Sequence, residues 1–257
     1  MSRYDEPHTG EAQGQNGGGG DGAPQARRTD AALERAVNAT GSPAHLAARL
    51  TEYGRRRRTL FDWMHPRRLA RLPYARHVRG LEGAGAATLA EAFLDEAGLP
   101  VPPLPAFDAP GAELALLPMR ECLFVFRLRA LLDYVDEVHS WIDRPRRALL
   151  TEWIGAHGSR LLLSRKRELT GNSVRTTRAA QRTPLDSGSA DALAWCGLRL
   201  FERECGWPSN GPLALARLAL PEESAYEAPA ASFGKAGSNP SLSIVSQLPN
   251  LLPEWSW

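Results

Sequence analysis

Apolar side chains recur at helical spacing through much of the chain. One stripe advances by three or four residues at each step, which is typical of one face of an α-helix. Its members are Leu46, Leu50, Tyr53, Arg57, Leu60 and Met64. The arginine fits such a stripe because its aliphatic stem can lie along an apolar surface. The pattern therefore predicts an amphipathic helix near the start of the ordered region.

The ends of this helix are also predicted from the sequence. Ser42 followed by a proline is a good helix start, with a capping side chain before a first-turn proline. His65 comes directly before Pro66, and a residue before proline is disfavoured in helical backbone. We expect the helix to stop there and a short turn of helix to follow at residues 67–72, ended by Pro73.

The longest stripe predicts a central helix. It consists of Phe124, Leu128, Leu131, Val135, Val138 and Ile142, and most positions beside its first half are apolar too. A helix that is apolar on most of its surface is usually covered by other elements. We expect Pro145 to end it, a second helix to span about residues 146–154, and a third to begin at Leu161.

Three shorter segments complete the predicted elements. They are a helix at residues 86–97 before Gly98, a helix between the cap Ser189 and Gly206, and a short apolar element at residues 213–220 before Pro221. No pair of segments alternates in the way typical of β-strands. The predicted fold class is all-α, as a single irregular helical domain.

Composition divides the chain into regions. Residues 1–28 are rich in glycine and poor in large apolar groups, which predicts a disordered tail. A helical domain is expected at residues 29–221. It includes a stiff proline-rich connector at residues 99–111, where we expect neither helix nor sheet, and a mobile basic loop at about residues 164–188. Residues 222–257 are expected to form an irregular tail.

Charge, cysteines and hydropathy favour a cytoplasmic protein. The formal net charge is only +2, so any nucleic-acid site must be a local patch. The three cysteines have no CxxC spacing, which favours free thiols in a reducing compartment. No segment has the roughly 20 consecutive apolar residues needed to span a bilayer, and residues 1–22 lack the apolar core of a secretory signal.

Catalytic and metal-binding patterns are missing from the sequence. The six histidines form neither HExxH nor a cysteine–histidine cluster, and no nucleophile elbow or nucleotide-binding fingerprint occurs. We therefore expect no enzyme activity, no metal and no cofactor.

One basic segment stands out. Residues 55–79 carry nine arginines against a single acid, Asp62, with aromatic side chains between them. Arginines mixed with aromatics suit a nucleic-acid surface. An acidic protein partner, an anionic membrane or simply a solvated helix face would explain the same composition. The alternative function is therefore a basic nucleic-acid-binding regulatory protein that uses this segment.

Residues 53–73, YGRRRRTLFDWMHPRRLARLP, resemble the N-terminal signature of the SctK family of type III secretion proteins, in its Hrp branch. The shared features are the aromatic residues Phe61 and Trp63, then His65-Pro66, then Leu72-Pro73. Two later blocks are similar to the same branch in the same order. These are residues 126–155 and residues 194–221.

The resemblance implies a cytoplasmic adaptor of the secretion sorting platform with no cofactor and no catalytic step. Such a protein links the inner-membrane ring protein SctD to the SctQ pods, and through them to SctL and SctN. Membrane association is then peripheral, through the ring complex, and nucleic acid is not the expected partner. The candidate partner-binding residues are Phe61, Trp63, His65, Pro66, Arg68, Leu72 and Pro73. For Trp63, packing in the core is an equally good interpretation.

Overall fold

The computed structural model describes residues 43–78, 80–81, 83–164, 185, 188–208, 210–222 and 239–254. This part of the chain consists of helices joined by turns and irregular segments, and no strand occurs in it. The all-α prediction is therefore confirmed. All contacts described below lie within the unit Ala47–Trp257.

The first half of the domain is built from short helices. They are α1 (Pro43–Arg58), α2 (Leu60–Trp63), α3 (Pro66–Arg71), α4 (Ala75–Val78) and α5 (Gly83–Glu96), followed by 3-10 helices at Leu104–Asp108 and Ala112–Leu116. The second half contains α6 (Met119–Leu132), α7 (Val135–Ser140), α8 (Arg144–Ser164), α9 (Ala190–Cys205), a 3-10 helix at Pro212–Ala219 and α10 (Pro240–Leu251).

The core forms where α6 packs along α9. The rings of Phe126 and Phe201 lie 5.7 Å apart between the two helices, and both side chains are fully buried. Gly197 allows this approach, because a Cβ there would lie 1.8 Å from the carbonyl oxygen of Phe126. Helices α8 and α10 cover α6 from other sides. The predicted central helix is thus covered by its neighbours, as its apolar surface requires.

The predicted central helix ends ten residues early. Helix α6 stops at Leu132 and a separate α7 follows, so the prediction that one helix reaches Ile142 is wrong. Trp141 turns into the core instead and packs 6.1 Å from Trp153, while Ile142 is 90% exposed. The chain must turn here to reach α8, and the larger aromatic side chain gains more from burial than the isoleucine.

The break between the predicted second and third helices is confirmed within α8. Gly155 has φ 68° and ψ 169°, which splits Arg144–Ser164 into two helical pieces. A positive φ of this size is accessible to glycine at little cost.

The prediction that the connector at residues 99–111 contains no helix is wrong. Residues Leu104–Asp108 form a 3-10 turn that buries Phe107 completely against Tyr53, with ring centroids 5.2 Å apart. The prolines exclude an α-helix, but a proline in the first turn of a short helix needs no N–H partner.

The expectation of an irregular C-terminal tail is wrong for residues 240–251. Asn239 caps α10 by accepting a hydrogen bond from the Leu242 amide at 3.1 Å. Ile244 and Leu248 are buried, and Glu204 accepts a hydrogen bond from the Ser241 hydroxyl at 2.6 Å. Sequence reasoning missed the helical spacing of Ile244, Leu248 and Leu251 because Pro249 lies inside the helix. The predicted tail at residues 1–28 and nearly all of the predicted loop at 164–188 lie outside the described residues.

Candidate functional site

A sharp turn between α1 and α4 carries all seven candidate residues, and we call residues 59–73 the corner. Met64 and His65 have extended backbone, with ψ 141° and 131°, so the chain turns where the proline rule predicts. The Nδ1 atom of His65 then caps α3 by accepting from the Arg67 amide at 3.2 Å. The turn at the corner is therefore stabilised by a hydrogen bond between two of its own residues.

The corner is also bound to a distant part of the chain. The His65 amide donates to the carbonyl of Leu218 at 2.9 Å. Arg68 donates through Nε to the Leu220 carbonyl at 2.6 Å and through Nη2 to the Pro221 carbonyl at 3.2 Å. These bonds hold α3 against the end of the 3-10 helix Pro212–Ala219. Two of the candidate residues thus use polar groups inside the protein.

A histidine–carboxylate contact and one ion pair lie at the same attachment. The Nε2 atom of His65 lies 3.4 Å from a carboxylate oxygen of Asp191, at the start of α9. Arg71 pairs with Glu222, whose pKa the hydrogen bond from that arginine lowers. Both partners of the second pair are largely exposed, so it contributes little to stability.

The candidate aromatic residues are half-buried. Phe61 meets Phe93 of α5 edge to face, with centroids 6.5 Å apart. The indole Nε1 of Trp63 donates to the Arg56 carbonyl at 3.1 Å. Each ring is therefore held by the fold while part of it faces solvent. Of the remaining candidates, Leu72 is half-buried, and Pro66 and Pro73 are exposed.

The predicted basic patch is only partly exposed. Arg56 and Arg57 are 4% and 2% exposed. Arg57 binds Glu91 and donates to the Leu99 carbonyl at 2.7 Å. The exposed arginines of the segment are Arg55, Arg58, Arg67, Arg71 and Arg76. Of these, Arg55 pairs with Glu52 and Arg71 pairs with Glu222. Arg79 lies outside the described residues. Much of the charge that suggested a nucleic-acid surface is thus used within the fold.

Arg56 is the most unusual of these side chains. Its Nε lies 3.8 Å from a Glu52 carboxylate oxygen, and within the described part of the chain Nε and Nη2 have no hydrogen-bond partner. Burial lowers the pKa of this guanidinium. Leaving a buried cation without good partners costs stability, so the packing around α1 must offset that cost.

A groove of about 510 Å³ opens beside the corner, between the end of α1 and the start of α5. Its walls come from Arg58, Thr59, Phe61, Asp62, Leu81, Gly83, Ala84, Ala86 and Ala87. Small side chains on α5 leave the space, and Phe61 with Leu81 supplies apolar surface. Such a groove suits an apolar side chain of a partner with a polar rim around it.

Sequence reasoning identified Phe61 but missed the α5 side of this groove. The available signal was the run Gly83-Ala84-Gly85-Ala86-Ala87, five small residues just before and at the start of the helix predicted at residues 86–97. Small residues leave room for another chain, but they also occur wherever helices pack closely. Only the structure places this run opposite Phe61.

Two further observations bear on chemistry. Among the described residues, no three His, Cys, Asp or Glu side chains are grouped so that they could hold a metal ion. Within the same ranges, no helix is both long and apolar enough to cross a membrane.

Comparison with known protein families gives a match over most of the chain. The family model described as "Bacterial type III secretion protein (HrpB4)" matches residues 41–254, which include the corner, the groove and the core helices. No curated protein and no solved structure matches the chain.

Proposed function

The chain belongs to the HrpB4 family of bacterial type III secretion proteins, and from this membership and the fixed corner we propose that it is a non-enzymatic cytoplasmic adaptor of the secretion apparatus. It joins the cytoplasmic domain of the inner-membrane ring protein, SctD, to the SctQ pods of the sorting platform. SctL and SctN are then reached through SctQ, and effector secretion depends on the link. The role corresponds to that of SctK.

The observation that carries this proposal is the attachment of the corner at two ends. The His65 amide and the Arg68 guanidinium bind the carbonyls at 218–221, and the ring of Phe61 contacts α5. A surface that is already ordered loses little conformational freedom on docking. An adaptor that must hold two partners in one orientation benefits from this rigidity.

Within the site, the candidate residues take two kinds of role. Phe61, Pro66, Leu72 and Pro73 present surface to the partner, together with the exposed Arg67 and the groove. His65 and Arg68 position that surface through their internal hydrogen bonds, and Trp63 does both. Arg58 and Asp62 lie at the rim of the groove. When an apolar side chain of the partner enters the groove, these two charges orient the partner more than they increase the affinity.

The alternative of a nucleic-acid-binding protein is less well supported. Nucleic-acid affinity depends on several arginines free to neutralise phosphates. In the basic segment Arg56 and Arg57 are buried, and Arg55 and Arg71 are paired with carboxylates.

The groove gives a direct test with a matched control. Ala84→Trp fills the groove, whereas Ala92→Trp places the same side chain on the same helix at an exposed position that does not line it. We expect Ala84→Trp to weaken binding to the ring domain or to the SctQ homologue by about tenfold or more and to reduce effector secretion. Ala92→Trp should resemble the wild type in both assays.

Arg67→Glu provides a second variant, with Arg160→Glu on α8 as the control for the same charge change at an exposed position. Melting temperatures close to that of the wild type would show that each variant is folded. The proposal fails if the folded Ala84→Trp and Arg67→Glu variants bind both components and secrete effectors as the wild type does.

A further inference from the structure

The proline-rich residues 100–105 form an exposed apolar ridge, which we call the proline ridge. Val101 is 61% exposed and Leu104 is 52% exposed, and Pro100, Pro103 and Pro105 are exposed beside them. These are among the most exposed large apolar side chains in the described chain. Scattered exposed apolar residues need no explanation, but five exposed apolar side chains within six residues of chain indicate a binding surface.

The backbone of the ridge has a defined conformation. Pro103 has φ −65° and ψ 149°, the values of a polyproline II helix. The proline rings fix φ near this value at Pro100 and Pro102, and a residue before proline is restricted to extended backbone, which applies to Val101. The sequence Pro-Val-Pro-Pro therefore presents two outer prolines on one side at a three-residue spacing.

Both ends of the ridge are anchored in the core. At one end, Arg57 donates to the Leu99 carbonyl at 2.7 Å. At the other, Phe107 is fully buried and its carbonyl accepts a hydrogen bond from Arg49 at 2.8 Å. Pro102 is buried between these anchors. The ridge is thus held in the bound shape of a polyproline ligand before any partner arrives, which lowers the entropic cost of docking.

Acidic side chains flank the ridge. Asp95 and Glu96 end α5 just before it, and Asp108 follows it. All three are exposed, and none forms an ion pair with another described residue. Carboxylates in the last turn of a helix interact unfavourably with its dipole, so Asp95 and Glu96 do not stabilise α5. Basic residues at the matching positions of a partner would form ion pairs with these carboxylates.

We propose that the proline ridge is a second docking surface, which binds a groove lined with aromatic side chains and edged with basic ones on one of the two components that the adaptor joins. Aromatic-lined grooves recognise preformed polyproline II segments, and the carboxylates at either end select a positively charged rim. This inference rests on the proposed adaptor function and adds the chemistry of one partner to it.

The position of the ridge suits an adaptor. The groove beside the corner lies at the N-terminal end of α5, and the proline ridge follows its C-terminal end. A helix of 14 residues separates the two surfaces by roughly 20 Å. Two partners can therefore bind at opposite ends of one rigid helix without competing for the same residues.

The test uses the full chain and two purified probes from the same secretion system, the ring protein's cytoplasmic domain and the SctQ homologue. Val101→Glu and Leu104→Glu place a charge on the ridge, and Ile142→Glu is the control because it changes another exposed aliphatic side chain. Affinities are measured by isothermal titration calorimetry. We expect the ridge variants to bind one probe at least tenfold more weakly and the other unchanged, while Ile142→Glu binds both normally.

A charge variant separates binding from folding. Asp95→Lys with Glu96→Lys replaces acids by bases at the C-terminal end of α5, which favours the helix dipole and should raise the melting temperature slightly. The same change should weaken binding of the ridge-dependent probe, and the loss should diminish as salt is added. A rise in stability with a fall in affinity cannot come from unfolding.

The possible results are distinguishable. Wild-type binding of both probes by the ridge variants overturns the ridge proposal and leaves the adaptor function intact. An equal loss from Ile142→Glu also overturns it, because the effect would not be specific to the ridge. If the wild-type protein binds neither probe, both the adaptor function and the ridge proposal are overturned.

Discussion

Gly197 makes the packing of the two core helices directly testable. In Gly197→Ala the new Cβ would lie 1.8 Å from the Phe126 carbonyl oxygen and 2.5 Å from its carbon. Both atoms belong to the backbone of α6, so no side chain can rotate away to make room. Ordinary contacts of this kind begin at 3.4 Å, so α6 and α9 must separate by more than an ångström.

The size of the effect follows from two opposing terms. Inserting a methyl group into a well-packed core costs about 1–3 kcal/mol, and the rigid backbone contact places Gly197→Ala at about 3 kcal/mol. Alanine in a helix interior regains about 1 kcal/mol relative to glycine. The net loss is therefore about 2 kcal/mol, which corresponds to a fall of roughly 4–8 °C in melting temperature for a protein of this size.

Gly54→Ala is the matched control. Gly54 also lies inside a helix, α1, but a Cβ there would meet no atom within 4 Å. This variant should gain up to about 1 kcal/mol from helix propensity alone. Urea unfolding followed by circular dichroism gives both free energies of unfolding. Equal midpoints for the wild type and Gly197→Ala would refute the close approach of α6 and α9.

The remaining predictions concern two titratable groups. Burial disfavours the Glu204 carboxylate, but the hydrogen bonds and charge of Arg129, together with Ser241, hold its pKa below the ordinary value. Its contribution to stability is therefore complete above the ordinary glutamate pKa of about 4.3 and is lost as the pH falls through the lower folded-state pKa. Glu204→Gln should lower the free energy of unfolding at pH 7 by only about 2 kcal/mol, because Asp133 still partners Arg129. In urea titrations from pH 7 to pH 3, the free energy of unfolding of this variant should decline less than that of the wild type. Parallel curves for the two proteins would contradict this. Burial raises the pKa of the Cys122 thiol to about 12, despite the nearby charge of Arg56, so we expect iodoacetamide to modify Cys122 only as the protein unfolds. Peptide mass spectrometry after timed labelling at pH 8 measures this, and modification of Cys122 faster than global unfolding would show the prediction to be wrong.

The helices were predictable where local rules decide them. His65-Pro66, the cap Ser189 and the glycines at 98 and 206 all act within one or two turns, so their effects can be read directly from neighbouring residues. Ser189 accepts from the Ala192 amide at 3.1 Å, and Gly98 and Gly206 have φ 67° and 65°. Predictions of this kind need no knowledge of distant contacts.

The misplaced elements depend on distant contacts. Whether Trp141 or Ile142 enters the core is decided by Trp153, which the periodicity of α7 does not reveal. The C-terminal helix buries Ile244 and Leu248, and its Ser241 donates a hydrogen bond to Glu204, which lies 37 residues earlier in the sequence. A weak local pattern can therefore still become a helix when a buried partner is available.

The candidate site shows the same division. The sequence identified the corner as one segment, and the structure brings its seven residues together. It could not show that Arg68 binds carbonyls more than 150 residues away, or that the small residues of α5 lie opposite Phe61. Charge counting was least informative, because burial removes Arg56 and Arg57 from the surface.

The central claim is that this protein connects two parts of the secretion apparatus, and a reconstitution with three purified proteins tests it most directly. The ring protein's cytoplasmic domain and the SctQ homologue are mixed with and without this protein and analysed by size-exclusion chromatography with light scattering. We predict a complex containing all three proteins and no complex of the two partners alone. Partners that associate equally well in its absence, or that compete for it so that only pairs form, would contradict the adaptor function.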